Sequence, residues 1–168
     1  LLENSGAIWV GTWGGGANRY DPKTNIFQHF KNDPANNSSL SSNRVQSMHQ
    51  DSAGTLWFGT YADGLNQLNE TGNFFQRFQH DEKLSTSLSH NRIWSIRDAG
   101  PNSLWVGTSY GLNIYDKTTQ EFKVFLPEPK SVAASGNNQI RHILQSKQGV
   151  LYLGTEGGVF VFNSQDKT

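Results

Sequence analysis

One short pattern of residues returns four times along the 168-residue chain, and it limits the fold more than any other feature. In each copy an aromatic residue lies in an apolar run, Gly-Thr follows, and a short loop leads to a second apolar run. The copies are Ile8-Trp9-Val10-Gly11-Thr12, Leu56-Trp57-Phe58-Gly59-Thr60, Leu104-Trp105-Val106-Gly107-Thr108 and Leu151-Tyr152-Leu153-Gly154-Thr155. Their glycines are 48, 48 and 47 residues apart. Such a period indicates a repeat architecture.

Residues outside this pattern keep the same register. A β-branched residue precedes the glycine of its own unit by 14 positions in three units, and a pair of phenylalanines three residues apart closes each of the first three units. An asparagine stands two residues before each β-branched position. The aligned sets are Val45, Ile93 and Ile140; Phe27 with Phe30, Phe75 with Phe78, and Phe122 with Phe125; and Asn43, Asn91 and Asn138.

The second unit reads as four short strands, predicted at 44–50, 55–60, 65–69 and 74–79. The second of these is apolar without alternation, as expected for a strand covered on both faces. Four antiparallel strands in each repeat of this length describe a β-propeller blade, and no segment has the 3.6-residue period that a helical repeat requires. The sequence therefore predicts an all-β propeller fragment of about four blades, the two end blades incomplete. The units are approximately 1–30, 31–78, 79–125 and 126–168.

Stacking of neighbouring blades explains the repeated aromatic and glycine positions. Each ring is expected to be buried between two blades, which is worth about 1.5–3 kcal/mol per ring. The glycine-rich loops, such as Trp13-Gly14-Gly15-Gly16, are expected to be strand-to-strand turns with positive φ rather than anion-binding loops, because every unit has a glycine there. Glu3, Asp51 and Asp98 are expected to cap the turns at matching positions. The predicted structural repeat set is Trp9, Gly11, Trp57, Gly59, Trp105, Gly107, Tyr152 and Gly154.

Composition excludes several classes of site. The formal net charge is zero, which argues against a nucleic-acid partner. Cysteine is absent, and none of the five histidines has a metal-ligand spacing, so we expect no metal and no cofactor. No apolar run is long enough to span a bilayer, and we expect no direct membrane contact. The chain begins with Leu1 rather than Met, and we expect it to be a piece of a longer protein.

The fullest copy of the repeat resembles the two-component regulator propeller repeat. It consists of Asp51-Ser52-Ala53-Gly54, Leu56-Trp57-Phe58-Gly59-Thr60, Gly64-Leu65-Asn66 and Phe75-Gln76-Arg77-Phe78. The resemblance implies part of the extracytoplasmic, periplasmic sensor region of a bacterial transmembrane receptor. The output would be a hybrid histidine kinase or a diguanylate cyclase elsewhere in the parent protein. The fourth unit departs from the pattern at Tyr152 and at Val159-Phe160.

The candidate binding residues lie on one face of the predicted propeller. Because strands alternate in direction, the loops between second and third strands end on the same face as the starts of the first strands. This face would collect variable aromatic, acidic and basic residues on a rigid frame, a composition that suits sugar or peptide recognition. Ordinary surface loops are the alternative interpretation. The candidates are Trp13, Arg44, Tyr61, Asp63, Arg92, Tyr110 and Glu156.

Three functions compete. The first is a non-catalytic sensor that binds an oligosaccharide or another small ligand and contacts the remainder of the parent receptor. The second is a structural propeller that mediates protein–protein contact, including homodimerisation. The third is an enzyme with a propeller fold, such as a lyase. The absence of paired acids or clustered histidines on one face argues against the third, and we predict no catalytic residues.

Overall fold

The structure is a computed structural model that describes residues 1–127 and 136–163. These residues form strands only, and no helix occurs among them. The strand bounds are β1 Ile8–Gly11, β2 Ala17–Asp21, β3 Ile26–Phe30, β4 Val45–Gln50, β5 Leu56–Thr60, β6 Leu65–Leu68, β7 Phe75–Phe78, β8 Ile93–Gly100, β9 Ser103–Thr108, β10 Gly111–Asp116, β11 Glu121–Phe125, β12 His142–Gln145, β13 Val150–Thr155 and β14 Gly158–Asn163.

The strands pair into four antiparallel sheets, one for each unit, which we call blades 1 to 4. Their orders are β1-β2-β3, β4-β5-β6-β7, β8-β9-β10-β11 and β12-β13-β14, so every sheet follows the chain without a crossover. The predicted all-β fold is confirmed, with two four-stranded sheets between two three-stranded ones. In blade 1 an isolated bridge joins Leu2 to Ile8 beside β1. The four strands predicted for the second unit agree with β4 to β7 within one residue at each end.

The hydrophobic core lies between blades rather than within them. Each of three buried clusters combines residues from two consecutive blades, and each contains the repeat tryptophan of the earlier blade. Trp57, for example, packs with Ile93 and Tyr115 of blade 3. No sheet formed by the described residues covers the far side of blade 4. Tyr152, which occupies the tryptophan position there, is consequently 40% exposed.

The glycine of the Gly-Thr pair permits this stacking in blades 1, 2 and 3. A Cβ added at Gly59 would lie 2.6 Å from Cγ2 of Ile93, and one added at Gly11 would lie 2.8 Å from Cγ1 of Val45. At Gly107 the nearest atom would be the Ile140 carbonyl oxygen at 2.4 Å. The repeated β-branched residue of one blade therefore occupies the space that the absent side chain leaves in the preceding blade. This contact brings the first strands of successive blades together.

Acidic side chains fix two of the repeat tryptophans. The indole Nε1 of Trp57 donates to Asp51 Oδ2 at 2.9 Å, and that of Trp9 donates to Glu3 Oε2 at 2.8 Å. The expectation that Asp98 caps the matching turn is wrong. Asp98 stands one position earlier than Asp51 in the repeat, and it accepts instead from His49 Nε2 at 3.3 Å and from the Ser52 N–H in blade 2.

Asp51 also joins two blades. Its Oδ2 accepts from the Lys117 ammonium of blade 3 at 2.7 Å, while its Oδ1 accepts from the backbone N–H groups of Ala53 and Thr55. Burial alone would raise the pKa of the Asp51 carboxyl. The hydrogen bonds from Lys117, Trp57 and Thr55 outweigh that effect and place its pKa below the ordinary value.

The first prediction tests the glycine contact. Gly59→Ala should lower the free energy of unfolding by about 1–3 kcal/mol, because the added methyl group would overlap Ile93 and the Ser47 hydroxyl. Gly154→Ala is the matched control, since its Cβ would meet only His142, at 3.4 Å from the Cβ and 3.9 Å from the carbonyl oxygen. Neither glycine has a positive φ, so the control should be neutral or stabilise the protein slightly. Urea denaturation measures both, and equal effects would contradict the close-approach explanation.

The second prediction concerns pH. Because the pKa of Asp51 is lowered by folding, its contribution to stability is complete above its unfolded-state pKa of about 3.9 and is lost as the pH falls through the folded-state value. Asp51→Asn should therefore lower the free energy of unfolding by about 2 kcal/mol at pH 7 and have a smaller effect at pH 3. Asp63→Asn, in a surface loop, serves as the control. An effect of Asp51→Asn that did not change with pH would show that the charge is unimportant.

Candidate functional site

The loop that follows the Gly-Thr pair has the same internal bracing in all four blades. In blade 2 the Thr60 hydroxyl donates to the Gly64 carbonyl at 2.9 Å and accepts from the Asp63 N–H at 3.0 Å. Thr12, Thr108 and Thr155 make the corresponding pair of bonds. The threonine of Gly-Thr thus fixes the loop backbone and leaves the intervening side chains free to vary.

The glycine that ends this loop attaches it to the next blade. Gly64 has φ +82°, and a Cβ there would lie 2.2 Å from the Phe78 carbonyl oxygen. Its N–H donates to the Asn91 carbonyl at 2.8 Å, directly before the first strand of blade 3. Gly16 and Gly111 donate in the same way to Asn43 and Asn138. Each loop is therefore held beside the arginine-bearing segment that opens the following blade.

The repeated asparagines have structural contacts in this arrangement. The Asn91 side-chain oxygen accepts from the His80 N–H at 2.7 Å, and that of Asn43 accepts from the Asn32 N–H at 2.8 Å. The arginines that follow them, Arg44 and Arg92, make no such backbone bond with their side chains. In Asn43-Arg44 and Asn91-Arg92, the asparagine is therefore a framework residue, and the arginine side chain is available to bind a ligand.

Arginines and aromatic rings alternate across this face in a continuous row, which we call the arginine–aromatic ladder. Its members are Trp13, Arg44, Tyr61, Arg92, Trp94 and Arg141. The row thus crosses all four blades, because its residues come from the loop of blade 1, the β5–β6 loop, and the first-strand segments of blades 2, 3 and 4.

The distances within the ladder are those of cation–π contacts. The Arg92 Cζ lies 4.0 Å from the centroid of Tyr61 and 4.1 Å from that of Trp94. Arg141 Cζ lies 4.7 Å from Trp94, while Arg44 Cζ lies 5.6 Å from Trp13 and 5.8 Å from Tyr61. The Trp13 and Tyr61 rings meet edge to face at 4.7 Å. All five distances between a guanidinium and a ring lie within the range in which the cation is attracted to the ring face.

The ladder has an excess of positive charge. Of the three ladder arginines, only Arg141 has a carboxylate partner among the described residues, and that partner is Glu156. Neither Arg44 nor Arg92 forms an ion pair or a side-chain hydrogen bond in the described part of the chain, and the Arg92 Nε is buried without a partner. Burial, followed by the charges of His80 and Arg92, lowers the pKa of the neighbouring His90, which is consistent with a positive local potential.

Five of the seven predicted candidates lie together here: Trp13, Arg44, Tyr61, Arg92 and Glu156. The other two lie outside the ladder. Asp63 contributes its backbone N–H to the Thr60 brace, and its carboxylate forms no ion pair in the described residues. Tyr110 is 45% exposed and makes no ring or cation–π contact with a ladder residue, and its loop is one residue shorter than that of blade 2.

Sequence reasoning missed Trp94 and Arg141. Both follow the β-branched residue of the first strand, the position that Gln46 occupies in blade 2. The Trp94 indole donates to the Ser109 hydroxyl at 3.0 Å, and Ser109 aligns with Tyr61. Blade 3 therefore supplies its aromatic ring from the strand rather than from the loop. The sequence signal that could have identified them is variation at one repeat position, which is occupied by Gln46, Trp94 and Arg141 in blades 2, 3 and 4.

A second concave region lies between blades 1 and 2, near the turns at the opposite ends of the strands. It is a cavity of about 680 Å³ whose polar lining includes Glu3, Arg19, Gln50 and Gln67. In the next gap along the chain, Tyr115 packs on Trp57 and Lys117 reaches Asp51. The aligned residues in blade 2 are Leu68 and Glu70, which are too short or wrongly charged to make those contacts, so the gap stays open.

Neither a metal centre nor a membrane-spanning element is evident in the described ranges. Residues 1–127 and 136–163 contain no group of three or more His, Asp or Glu side chains that could hold a metal ion. They also contain no helix of the length and hydrophobicity needed to cross a bilayer.

Two segments of the chain match a known family of repeats. The family model described as two-component regulator propeller matches residues 39–62 and 135–157. Two segments of the chain are therefore similar to the two-component regulator propeller repeat. The first match includes the Asp51 turn, β5 and Tyr61, and the second includes the fourth unit despite its departure at Tyr152. No curated protein sequence matches the chain.

Solved structures share the fold. The extracellular domain of the hybrid two-component system BT3049 from B. thetaiotaomicron is 24% identical with a TM-score of 0.79, over 96% of this chain and 21% of that one. The extracellular domain of the one-component system BT4673 from B. thetaiotaomicron is 23% identical with a TM-score of 0.74, over 100% and 23%. The chain thus spans about a fifth of the length of these structures.

A catalytic protein shares the fold as well. The catalytically inactive virginiamycin B lyase from Staphylococcus aureus is 14% identical with a TM-score of 0.62, over 97% of this chain and 54% of that chain. The propeller fold therefore does not separate a sensor from an enzyme, and the distinction must come from the residues of the site.

Proposed function

We propose that this chain is a non-catalytic, ligand-binding part of the extracytoplasmic sensor region of a signalling receptor. The ligand is a small carbohydrate-like molecule that binds on the arginine–aromatic ladder. The parent receptor relays binding to a histidine kinase or cyclase output. The single observation that carries this proposal is the ladder itself, because it joins residues of four blades that the repeat pattern does not require.

The chemistry of the ladder supports binding rather than catalysis. Trp13 is 61% exposed and gives an apolar ring on which the flat face of a sugar can stack. Guanidinium groups donate several hydrogen bonds but have no acceptor and do not deprotonate in proteins, so they are poor general acids or bases. Among the described residues, one carboxylate pairs with the ladder, that of Glu156, which forms an ion pair with Arg141. These groups can hold a ligand, and they lack an arrangement that would transfer a proton.

The family context supports the sensor role. Two segments of the chain are similar to the two-component regulator propeller repeat, and the similar solved domains from B. thetaiotaomicron are extracellular parts of signalling systems. A ligand that contacts several blades at once would favour one relative arrangement of those blades. Such a change in population is the type of signal that a receptor can pass to another domain.

The third prediction tests the ladder as a ligand site. Trp13→Ala and Tyr61→Ala should each weaken binding of an oligosaccharide by about tenfold, which corresponds to about 1.4 kcal/mol for loss of one stacking ring. Calorimetric titration with cello-, malto-, galacto- and galacturono-oligosaccharides of two to four units measures the effect. Phe74→Ala is the control, since Phe74 is 50% exposed at the turn between β6 and β7.

Thermal unfolding of the same variants distinguishes loss of binding from loss of folding. The ladder variants should melt within a few degrees of the parent chain, because their rings lie outside the buried clusters. Unfolding of either variant would assign the ring to the framework. Absence of binding by the parent chain to every oligosaccharide in the panel would overturn the proposed ligand class.

Homodimerisation is the second candidate function, and one observation favours it. Blade 1 exposes Ile8 and Val10 on the face where other blades receive a preceding neighbour. Blade 4 exposes Leu144, Tyr152, Val159 and Val161 on the face where other blades receive a following one. These two apolar faces correspond to the two sides of each interblade junction, so blade 4 of one copy can pack on blade 1 of another.

The fourth prediction addresses this pairing. Light scattering at micromolar concentrations should give twice the 18.7 kDa mass of one chain, and Val161→Glu should restore the single-chain mass by placing a charge on the blade 4 face. Glu121→Gln, on exposed β11, is the control for a change of charge elsewhere. A single-chain mass for the parent protein would remove the dimer proposal and leave the sensor proposal unaffected.

A further inference from the structure

We infer that the ligand of the arginine–aromatic ladder is an acidic saccharide, a sugar that carries a carboxylate or sulfate group. This inference rests on the proposed function, since it names the ligand class of the same site. It is carried by the unpaired guanidinium groups of Arg44 and Arg92, together with the exposed ring of Trp13 beside them.

The ladder carries more positive than negative charge. The row contains three guanidinium groups and one paired carboxylate, that of Glu156. Asp63 lies in the neighbouring loop, yet its carboxylate is not within ion-pair distance of a described arginine or lysine. The ladder therefore presents net positive charge on a chain whose overall formal charge is zero. Charge collected at one site of a neutral chain indicates selection for an anionic partner.

Arg44 and Arg92 differ from the other arginines in their hydrogen bonding. The other arginines that the structure describes use their guanidinium groups internally. Arg19 pairs with Glu3, Arg77 donates to the connector at Ser39, and Arg97 donates to the Ile96 carbonyl. Within residues 1–127 and 136–163, the guanidinium groups of Arg44 and Arg92 instead make cation–π contacts and no hydrogen bond or ion pair. A stacked guanidinium keeps its in-plane N–H donors, which match the geometry of a carboxylate or sulfate.

Arg92 also has a buried donor atom. Its Nε is buried without a hydrogen-bond partner among the described residues. Unpaired buried donors and acceptors are rare in folded proteins because each one costs about 1–3 kcal/mol. This unused donor identifies Arg92 as a guanidinium whose hydrogen-bonding capacity no described protein group satisfies.

The aromatic rings select the saccharide scaffold. Trp13 and Tyr61 form an edge-to-face pair whose outer ring is mostly exposed, and Arg44 lies over both. A pyranose ring offers an apolar face for stacking and hydroxyl groups at its rim, and an acidic substituent can reach the adjacent guanidinium. An inorganic anion would use the arginines and leave the exposed Trp13 ring without a contact.

The fifth prediction compares ligands matched in size and different in charge. Calorimetric titration of the chain with digalacturonate and galactobiose, and with sulfated and unsulfated chondroitin disaccharides, measures the preference. At low salt we expect each acidic ligand to bind about tenfold more tightly than its neutral or less charged partner, and the difference to shrink as NaCl rises. Digalacturonate and the sulfated disaccharide together distinguish carboxylate from sulfate recognition.

Variants of opposite sign give the sharpest test. Arg44→Gln removes an exposed positive charge and should weaken acidic ligands by about tenfold while leaving neutral ones unchanged. Glu156→Gln releases Arg141 from its ion pair and should strengthen acidic ligands. Arg97→Gln, at the other end of β8, is the control and should leave the preference unchanged.

The outcomes separate the two proposals. Equal binding of the acidic and neutral partners would overturn the inference and leave the ladder as a neutral-sugar site, so the proposed function would stand. Binding of no saccharide at all, with the protein folded by circular dichroism, would overturn the proposed function itself. A preference for acidic ligands that Arg44→Gln and Arg92→Gln both leave intact would place the anion site elsewhere and also overturn the inference.

Discussion

The packing of one blade's tryptophan and glycine against the first strand of the next blade is the contact on which the rest of the structure depends. Gly59 leaves space for Ile93, and Trp57 covers the residues around it. Because each short sheet buries its apolar faces only between neighbours, a single blade has no core of its own. Asp51 strengthens the same junction by holding the Trp57 indole and the Lys117 ammonium together.

The same junction places the functional face. Each Gly-Thr loop is braced by its own threonine and attached through a glycine N–H to the segment that opens the following blade. Residues between these fixed points contribute nothing to the frame, so they can differ from one blade to the next. Trp13 and Tyr61 of the ladder are such residues, and its arginines come from the segments to which these loops are attached.

Departures from the repeat have identifiable physical consequences. Ala99 stands where Asp51 would be in blade 3, and the Trp105 Nε1 is consequently buried without a partner. Leu68 and Glu70 replace the residues that close the following interblade gap, and a cavity remains between blades 1 and 2. Tyr152 replaces tryptophan in blade 4, whose far face no described sheet covers. The hydroxyl group of tyrosine makes its ring better suited to partial exposure to water than the larger indole ring of tryptophan.

The sequence by itself determined the blade: the four strands of unit two, the Gly64 turn and the face that collects Trp13, Arg44, Tyr61, Arg92 and Glu156. Those features depend on the local residue pattern and on the direction of each strand, and both can be read from the sequence of a single unit. The partners of those residues depended on the tertiary structure. Trp94 and Arg141 join the ladder because stacking brings side chains about 48 residues apart into contact, whereas Tyr110, on a loop one residue shorter than that of blade 2, lies outside it. Contacts between blades are set by the stacking geometry, which no single repeat encodes.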